Sequence, residues 1–327
     1  MQLQATKFSY TISKVERTTP PGWRQNNTTE HTMKKALLIV ALAATAAASG
    51  IDVGGDRLKG RPDTSIIACG GGSAWILSPD GKVKWKKDRC GNIHRAVRHG
   101  TKVYWSNGNV WVTDVKTSKT ELFYSPSPHD GTYGFDITKD GTMVISENST
   151  DFVSELKLDT KELLARFKAD PRRPDGTTPS RHHHYRMVSK TKDGTYLLCC
   201  SGAHVVREYD STGKLLWEQP TPDLAFEAFR RANGNTLISH LGAITEYTPD
   251  HKVVWSFSCG DAPELKLANL CGIHERANGN LVVGTYANGV EDGSRTTGFE
   301  VTRDKKIVWS YAPAGRRLST MTILPLE

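Results

Sequence analysis

Short apolar stretches with alternating polar residues recur along most of the chain and are separated by tight polar turns. Five turns carry a glycine at the same point of this pattern: Arg98-His99-Gly100, Lys139-Asp140-Gly141, Lys192-Asp193-Gly194, Ala232-Asn233-Gly234 and Ala277-Asn278-Gly279. Their glycines stand 41, 53, 40 and 45 residues apart, and an inserted loop at about 169–183 explains the longest interval. Glycine readily adopts the positive φ of a tight hairpin turn, so the pattern predicts repeated antiparallel strands.

A second repeated feature is a strand that follows a polar turn and ends in an aromatic residue. It occurs at Ser78–Trp85, Asp210–Trp217, Pro249–Trp255 and Arg303–Trp309, with Phe123 and Phe167 in the equivalent place elsewhere. A period of 40 to 45 residues with four short strands and no helical pattern is typical of a β-propeller blade. Five complete blades are predicted at about 93–124, 134–168, 184–219, 226–258 and 272–311.

The remaining strands predict how the ring closes. A segment at about 64–87 contains three strands, and a final apolar strand at 319–326 supplies the innermost fourth one. Strands from the two ends would therefore complete blade one, which predicts an all-β, six-bladed β-propeller over residues 64–327. A seven-bladed ring is the alternative, because blades are easily miscounted in a sequence.

The N-terminal residues indicate export. Residues 1–32 are polar and lack a hydrophobic period, which predicts a non-native or disordered leader and a true start at Met33. Residues 33–48 combine two lysines with thirteen small or apolar residues, as bacterial signal peptides do. This stretch is shorter than the roughly 20 residues that cross a bilayer as a helix. We therefore expect a linker at 49–63, no membrane span, and a periplasmic or secreted protein.

Charge argues against a nucleic-acid partner. The chain has 43 Lys and Arg against 35 Asp and Glu, a net charge of +8, but half of that excess lies in the first 48 residues. The rest carries a net charge of only +4, which argues against the broad basic surface that nucleic-acid binding would require. A small molecule or glycan is the expected partner, and a protein partner is the alternative.

Three of the repeated turns resemble those of known propeller families. The segment Asp210–Trp217 is similar to the repeats of pyrroloquinoline-quinone-like (PQQ-like) propellers, and Asn233-Gly234-Asn235 and Asn278-Gly279-Asn280 resemble turns of arylsulfotransferase-like propellers. The likeness covers nearly all of 64–327 and implies a fold rather than a chemistry. Quinoprotein dehydrogenases are longer and typically eight-bladed, and their calcium ligands have no match here, so PQQ itself is not expected. The arylsulfotransferase resemblance implies a histidine nucleophile at His94, His184 or His274.

Histidines concentrate at one end of the predicted propeller. This end is formed by the connections between blades and by the turns between second and third strands, and we call it the upper end. Eight of the eleven histidines map there: His94, His129, His182, His183, His184, His204, His240 and His274. His94, His184 and His274 are predicted to begin the innermost strands of blades two, four and six, about 120° apart around the axis. Because imidazole serves as metal ligand, base or anion clamp, the three predict a divalent-metal or anion site, the alternative being separate polar caps on strand ends.

Other polar residues at the same end suggest acid–base chemistry. They are Asp130, Tyr133, Glu147, Arg181, Arg316 and Arg317. A histidine and a tyrosine beside an arginine can abstract the proton next to a uronate carboxylate while the arginine neutralises that carboxylate. In this composition the chain resembles uronate-cleaving lyases built on propeller folds.

The sequence thus predicts a lyase or hydrolase acting on a carbohydrate or other small anionic substrate. The candidate catalytic residues are His94, His184, His274, Tyr133, Arg316 and Arg317, and the candidate ligand-binding residues are His129, His182, His183, His204, His240, Glu147 and Arg181. A non-catalytic ligand-binding or protein-assembly propeller is the alternative, and sulfotransferase-like chemistry through a channel histidine is a third.

Six cysteines, an even number, favour disulfide bonds in an exported chain. Cys69 with Cys90 and Cys259 with Cys271 are the predicted pairs. Neighbouring Cys199 and Cys200 should point to opposite faces of one strand, so they would share a partner only as a strained vicinal disulfide.

Overall fold

Six four-stranded antiparallel sheets form the structure, a computed structural model that describes residues 58–126, 131–286, 296–313 and 323–326. The sheets are the blades of a β-propeller, which confirms the predicted fold and the count of six. Blades two to six place their first strand against the channel and their fourth on the outside, and in blade one β25 takes the innermost place. The leader, signal peptide and first part of the linker lie outside the described residues, and these assignments stay predictions.

The strands follow one another blade by blade. Blade one contains β2 (Ser65–Gly70), β3 (Ser73–Leu77), β4 (Val83–Lys87) and β25 (Ile323–Leu326); blade two contains β5 (Arg95–His99), β6 (Lys102–Ser106), β7 (Val110–Asp114) and β8 (Thr120–Tyr124); blade three contains β9 (Phe135–Ile137), β10 (Thr142–Glu147), β11 (Phe152–Lys157) and β12 (Leu163–Lys168). Blade four contains β13 (Val188–Lys190), β14 (Tyr196–Cys200), β15 (Val205–Tyr209) and β16 (Leu215–Pro220); blade five contains β17 (Ala225–Arg230), β18 (Thr236–His240), β19 (Ala243–Tyr247) and β20 (Val253–Ser258); blade six contains β21 (Asn269–Glu275), β22 (Leu281–Tyr286), β23 (Gly298–Val301) and β24 (Ile307–Tyr311).

Blade one is assembled from both ends of the ring. The last described strand, β25, pairs antiparallel with β2, with Leu326 opposite Ser65 and Leu324 opposite Ile67. The Thr64 hydroxyl also donates to the carbonyl of Leu326 at 2.6 Å. The predicted closure by a C-terminal innermost strand is therefore confirmed at 323–326, and residues 319–322 of the predicted strand lie outside the described residues.

A further strand, β1 (Leu58–Gly60), lies within the segment predicted as a linker. It adds to the outer edge of blade six by pairing with β24, with Gly60 opposite Trp309. Gly60 has a φ of +74°, and a Cβ there would stand 2.5 Å from the carbonyl oxygen of Val308. Glycine is therefore required where this strand meets the blade.

Two of the repeated tryptophans join their blade to the next one. The indole nitrogen of Trp217 donates to the carbonyl of Pro249, and that of Trp255 donates to the carbonyl of Arg303 at 2.8 Å. Both acceptors lie in the turn of the following blade. In these two blades the aromatic position that marks the repeat is thus an inter-blade contact, whereas the Trp309 indole donates to Glu300 within blade six.

Buried glutamates of the third strands form a second set of fastenings. Glu246 is almost fully buried and accepts hydrogen bonds from Arg231 and Asn235, both at 2.7 Å, and from Arg303 of the next blade. Glu155 likewise accepts from Lys190 of the next blade at 2.8 Å. Such buried carboxylates depend on their cationic partners, because an unpaired buried charge is strongly destabilising.

A charged cluster crosses the channel partway along the innermost strands. The Arg95 guanidinium lies 2.8 Å from Glu227 and 3.5 Å from Asp136, so β5, β17 and β9 each contribute one member. His94, immediately before β5, and Phe226 of β17 each stand one position before a member of this cluster, and both line a cavity on the upper side. Arg95 and Glu227 themselves line a second cavity, which extends toward the opposite end.

The described residues contain no helix with the length and apolar character needed to cross a bilayer.

Candidate functional site

A cavity of about 320 Å³ lies at the upper end of the channel. Its lining comes from the connections into blades two and four and from blades five and six: Asn92, His94, His182, His183, Arg186, Leu224, Phe226, Leu241, Asn269 and Tyr286. We call it the His94 cavity. It brings together three of the predicted histidines, His94, His182 and His183.

His94 is the most unusual side chain of this cavity. It is only 7% exposed, and neither of its ring nitrogens has a hydrogen-bond partner within the described structure. Burial, aided by the positive charges of Arg186 and His182, lowers the pKa of His94 to about 3. His94 is therefore a neutral imidazole near pH 7, with a donor and an acceptor that a ligand can use.

A tyrosine and two further histidines extend the polar surface that begins at His94. The rings of His94 and Tyr133 meet edge to face with centroids 4.5 Å apart, and Tyr133 and His182 do so at 5.1 Å. The Tyr133 hydroxyl lies 3.2 Å from Nδ1 of His182, within hydrogen-bond distance. His183 is next, its ring centroid 5.0 Å from that of His182. Tyr133, a predicted catalytic residue, thus lies beside two of the predicted histidines, and its role stays a prediction.

Arg186 supplies the positive charge of the cavity. It is 5% exposed, and its Nη1 donates to the carbonyls of His182 and Tyr185. Its guanidinium lies over the Tyr133 ring at 5.5 Å, and the ionisable groups that act on its charge are Tyr133, Cys271 and Tyr286, with no carboxylate among them in the described residues. Burial lowers the pKa of Arg186 from its usual value. A buried guanidinium without a carboxylate is poised to bind an anion, because burying an unpaired charge is costly.

Sequence reasoning missed Arg186 and favoured Arg181 instead. Arg181 is exposed, and its backbone carbonyl accepts a hydrogen bond from Asn148. Arg186 stands only two residues beyond the histidine run, and that proximity was the available signal. The backbone of Arg186 packs closely against Gly134. A Cβ at position 134 would stand only 2.1 Å from the Arg186 carbonyl oxygen, so the contact needs glycine there.

His274 is not at the upper end, so the predicted convergence of His94, His184 and His274 is wrong. The innermost strand β21 begins at Asn269, five residues before His274, and has an irregular register between Leu270 and Ile273. Asn269 therefore lines the His94 cavity, while His274 lines the second cavity of about 480 Å³ at the other end.

His184 is also absent from the His94 cavity. It is buried, with Nδ1 2.8 Å from Asp151 and Nε2 3.1 Å from the carbonyl of Pro179. Its role in the structure is to join the connection before blade four to blade three. No group of three His, Cys, Asp or Glu side chains in the described ranges is arranged to hold a metal ion, so the predicted metal set is not assembled there.

Three other predicted ligand-binding residues do not line the His94 cavity. Glu147 is fully buried and accepts hydrogen bonds from Tyr124, Ser154, Thr150 and Arg166. His240 is held between Asp223 at 3.0 Å and Thr245 at 3.2 Å. His204 is exposed in a left-handed turn conformation. The remaining candidates His129, Asp130, Arg316 and Arg317 lie outside the described residues.

All six cysteines are free thiols, so the predicted pairs Cys69 with Cys90 and Cys259 with Cys271 are not disulfide-bonded in this structure. Each thiol is instead accommodated locally: that of Cys259, for example, donates to the carbonyl of Ala268 at 2.8 Å. Cys199 and Cys200 pack into separate apolar clusters, so they point to opposite faces as expected.

Comparison with known proteins supports the fold class. No protein-family model and no curated protein matches the chain. A solved structure of a protein of unknown function from Bacteroides caccae has 16% identity and a TM-score of 0.68, covering 81% of this chain and 99% of that one.

Two solved lyases are also similar to this chain. A streptogramin B lyase shares 12% identity with a TM-score of 0.53, over 80% of this chain and 84% of its own. A catalytically inactive histidine-to-alanine variant of virginiamycin B lyase from Staphylococcus aureus, with quinupristin, shares 12% identity with a TM-score of 0.52, over 79% and 91%. At these identities the similarity supports only the β-propeller fold of this chain. Membership of the PQQ-like or arylsulfotransferase-like family stays a prediction.

Proposed function

We propose that the protein is an exported lyase that binds a carbohydrate or other small anionic substrate in the His94 cavity and cleaves it by proton abstraction. The observation that carries this proposal is Arg186, a buried guanidinium on the cavity wall without an ion-pair partner among the described carboxylates. A substrate carboxylate would supply the missing negative charge and form charge-assisted hydrogen bonds.

The side chains beside Arg186 suit an elimination reaction. In such a step a base takes the proton next to the substrate carboxylate, the electron pair of that C–H bond forms a carbon–carbon double bond, and the bond to the leaving oxygen breaks. His182 and Tyr133, already within hydrogen-bond distance, are the proposed base and the acid that protonates the leaving oxygen. Arg186 stabilises the charge that builds up on the carboxylate.

The cavity lining favours a lyase over a hydrolase. Glycoside hydrolases generally use two carboxylates on either side of the bond that they cleave. No Asp or Glu is among the described residues that line the His94 cavity. The two similar propellers that are lyases support the proposal only at the level of fold.

The proposal can be tested with a panel of uronate oligosaccharides and other substituted carboxylic acids. Elimination creates a conjugated double bond, which is followed by ultraviolet absorbance, whereas hydrolysis does not. Arg186→Gln should abolish substrate binding, and Arg181→Gln, an exposed arginine five positions earlier, is the matched control. Tyr133→Phe should lower kcat by about a hundredfold or more while the substrate still binds. Equal activity in Arg186→Gln and Arg181→Gln would contradict the proposal.

A non-catalytic binding propeller is the second candidate, and His94 favours it. A histidine whose pKa lies at about 3 is a poor proton acceptor near neutral pH, which suits a binding role better than a catalytic one. Saturable binding that depends on Arg186, with no product from any bound compound, would decide for this candidate.

A further inference from the structure

We propose that the substrate of the His94 cavity carries its anionic group on an otherwise apolar body, such as an aromatic or aliphatic carboxylic acid, rather than on a sugar ring. This inference rests on the proposed binding of an anion at Arg186 and specifies the rest of the ligand. It follows from how polar and apolar side chains are divided between the walls of the cavity.

One wall of the cavity is mostly apolar, and Asn269 is the polar residue among its described members. Leu224, Leu241 and Tyr286 are partly buried and pack against a cluster that contains Phe226. Leu224 immediately precedes β17, Leu241 immediately follows β18, and Tyr286 ends β22. Blades five and six therefore present hydrocarbon and aromatic surface to the cavity, and part of that surface remains accessible.

The other wall carries the chemistry. His94 from the connection into blade two, and His182, His183 and Arg186 from the connection into blade four, supply the hydrogen-bonding groups and the positive charge. The Tyr133 ring contacts the rings of His94 and His182 and lies under the Arg186 guanidinium, and His183 contacts His182. The two kinds of surface are thus segregated rather than mixed.

This division disfavours a sugar ring as the body of the ligand. A ring with its carboxylate at Arg186 would turn hydroxyl groups toward leucine and phenylalanine side chains, which cannot accept or donate hydrogen bonds. Burying a hydroxyl group without a partner is costly, whereas covering accessible apolar wall with a hydrocarbon body is favourable. A volume of about 320 Å³ is at the lower end of small-molecule sites, which suits a compact ligand such as a single-ring acid.

The test compares two monoanions by isothermal titration calorimetry: 3-phenylpropionate, with an apolar body, and D-glucuronate, with a hydroxylated one. The variants are Leu224→Asn and Leu241→Asn, which make the apolar wall polar, and Leu241→Met, which keeps it apolar at similar volume. Leu216→Asn, on the exposed outer strand of blade four, is the matched control. Thermal unfolding of each variant shows whether it is folded.

We expect 3-phenylpropionate to bind more tightly than D-glucuronate. Each asparagine substitution in the wall should weaken it about tenfold or more, while Leu241→Met and Leu216→Asn retain its affinity. The inference is overturned if D-glucuronate binds as tightly, if 3-phenylpropionate does not bind, or if the folded wall variants bind it like the wild type.

The same experiment separates this inference from the proposed function. Turnover of a uronate without binding of 3-phenylpropionate would sink the inference and leave the lyase proposal standing. The opposite outcome is also possible to recognise. If 3-phenylpropionate binds and the wall variants weaken it, but no carboxylic acid undergoes elimination, the inference stands and the lyase proposal fails.

Discussion

Replacing His94 with glutamine should remove much of the acid sensitivity of folding between about pH 7 and about pH 5. In the folded protein burial holds the pKa of His94 at about 3, whereas an unfolded chain returns it to about 6.5. Between these values the unfolded state binds one more proton than the folded state. The free energy of unfolding therefore falls as the pH is lowered from 6.5 toward 3.

The size of the effect follows from the two pKa values. Each pH unit below 6.5 costs about 1.4 kcal/mol until the folded-state pKa is reached. At about pH 5 the wild type should thus have lost about 2 kcal/mol through His94, compared with almost nothing at about pH 7. Glutamine does not titrate, so His94→Gln should lack this loss whatever its stability at neutral pH.

Urea unfolding gives the free energy of unfolding of wild type and His94→Gln at both pH values. The effect is the loss between the two pH values in the wild type minus the same loss in the variant. His99→Gln, an exposed histidine at the opposite end of β5, controls for the general effect of exchanging histidine for glutamine. Observation of the His94 ring by NMR gives its pKa directly. The reasoning is refuted if wild type and His94→Gln lose the same free energy, or if the ring titrates near its ordinary value.

Two substitutions test the packing on which the site depends. Gly134→Ala should lower the melting temperature by about 4 °C or more and weaken anion binding at Arg186, because the new Cβ would stand 2.1 Å from the Arg186 carbonyl oxygen. Gly242→Ala, which meets nothing within 4 Å, is its control, and equal melting temperatures would argue against the close approach. Glu246→Ala should cost about 3 kcal/mol in urea unfolding, because its buried carboxylate holds cations from two blades. Asp250→Ala, which breaks an exposed ion pair, should change stability little; a similar loss in both variants would show that burial is not the cause.

The fold could be predicted because its determinants are local and repeated. The glycine turns and the aromatic strand ends each depend on a few adjacent residues, and their spacing marks the blades. The closure by β25 was predictable as well. The N-terminal part of the ring has a blade with only three strands, and the C-terminal part has one apolar strand that belongs to no other blade.

The site was only partly predictable. The position of a residue along the channel axis depends on where its strand begins and on contacts with other blades, which adjacent residues in the sequence do not determine. The similar segments before His94 and His274 suggested equivalent positions, yet β21 begins five residues before His274 and carries it to the other end. His184 was predicted in the channel, but Asp151 of another blade engages it. Arg186 was missed because its orientation depends on packing against Gly134, 52 positions away in the chain.

The pairing of β25 with β2 also determines the order in which the molecule can be completed. Ser65 and Leu326 come together only by closing a loop that contains almost the whole ring, at an entropic cost of about 5 kcal/mol. A ribosome synthesises β25 after every other described strand. Blades two to six and three strands of blade one can therefore form while the ring is still open. Until then the inner edge of β2 is an unpaired strand edge, which other chains can join. The arrival of β25 therefore both completes the channel wall and covers the inner edge of β2.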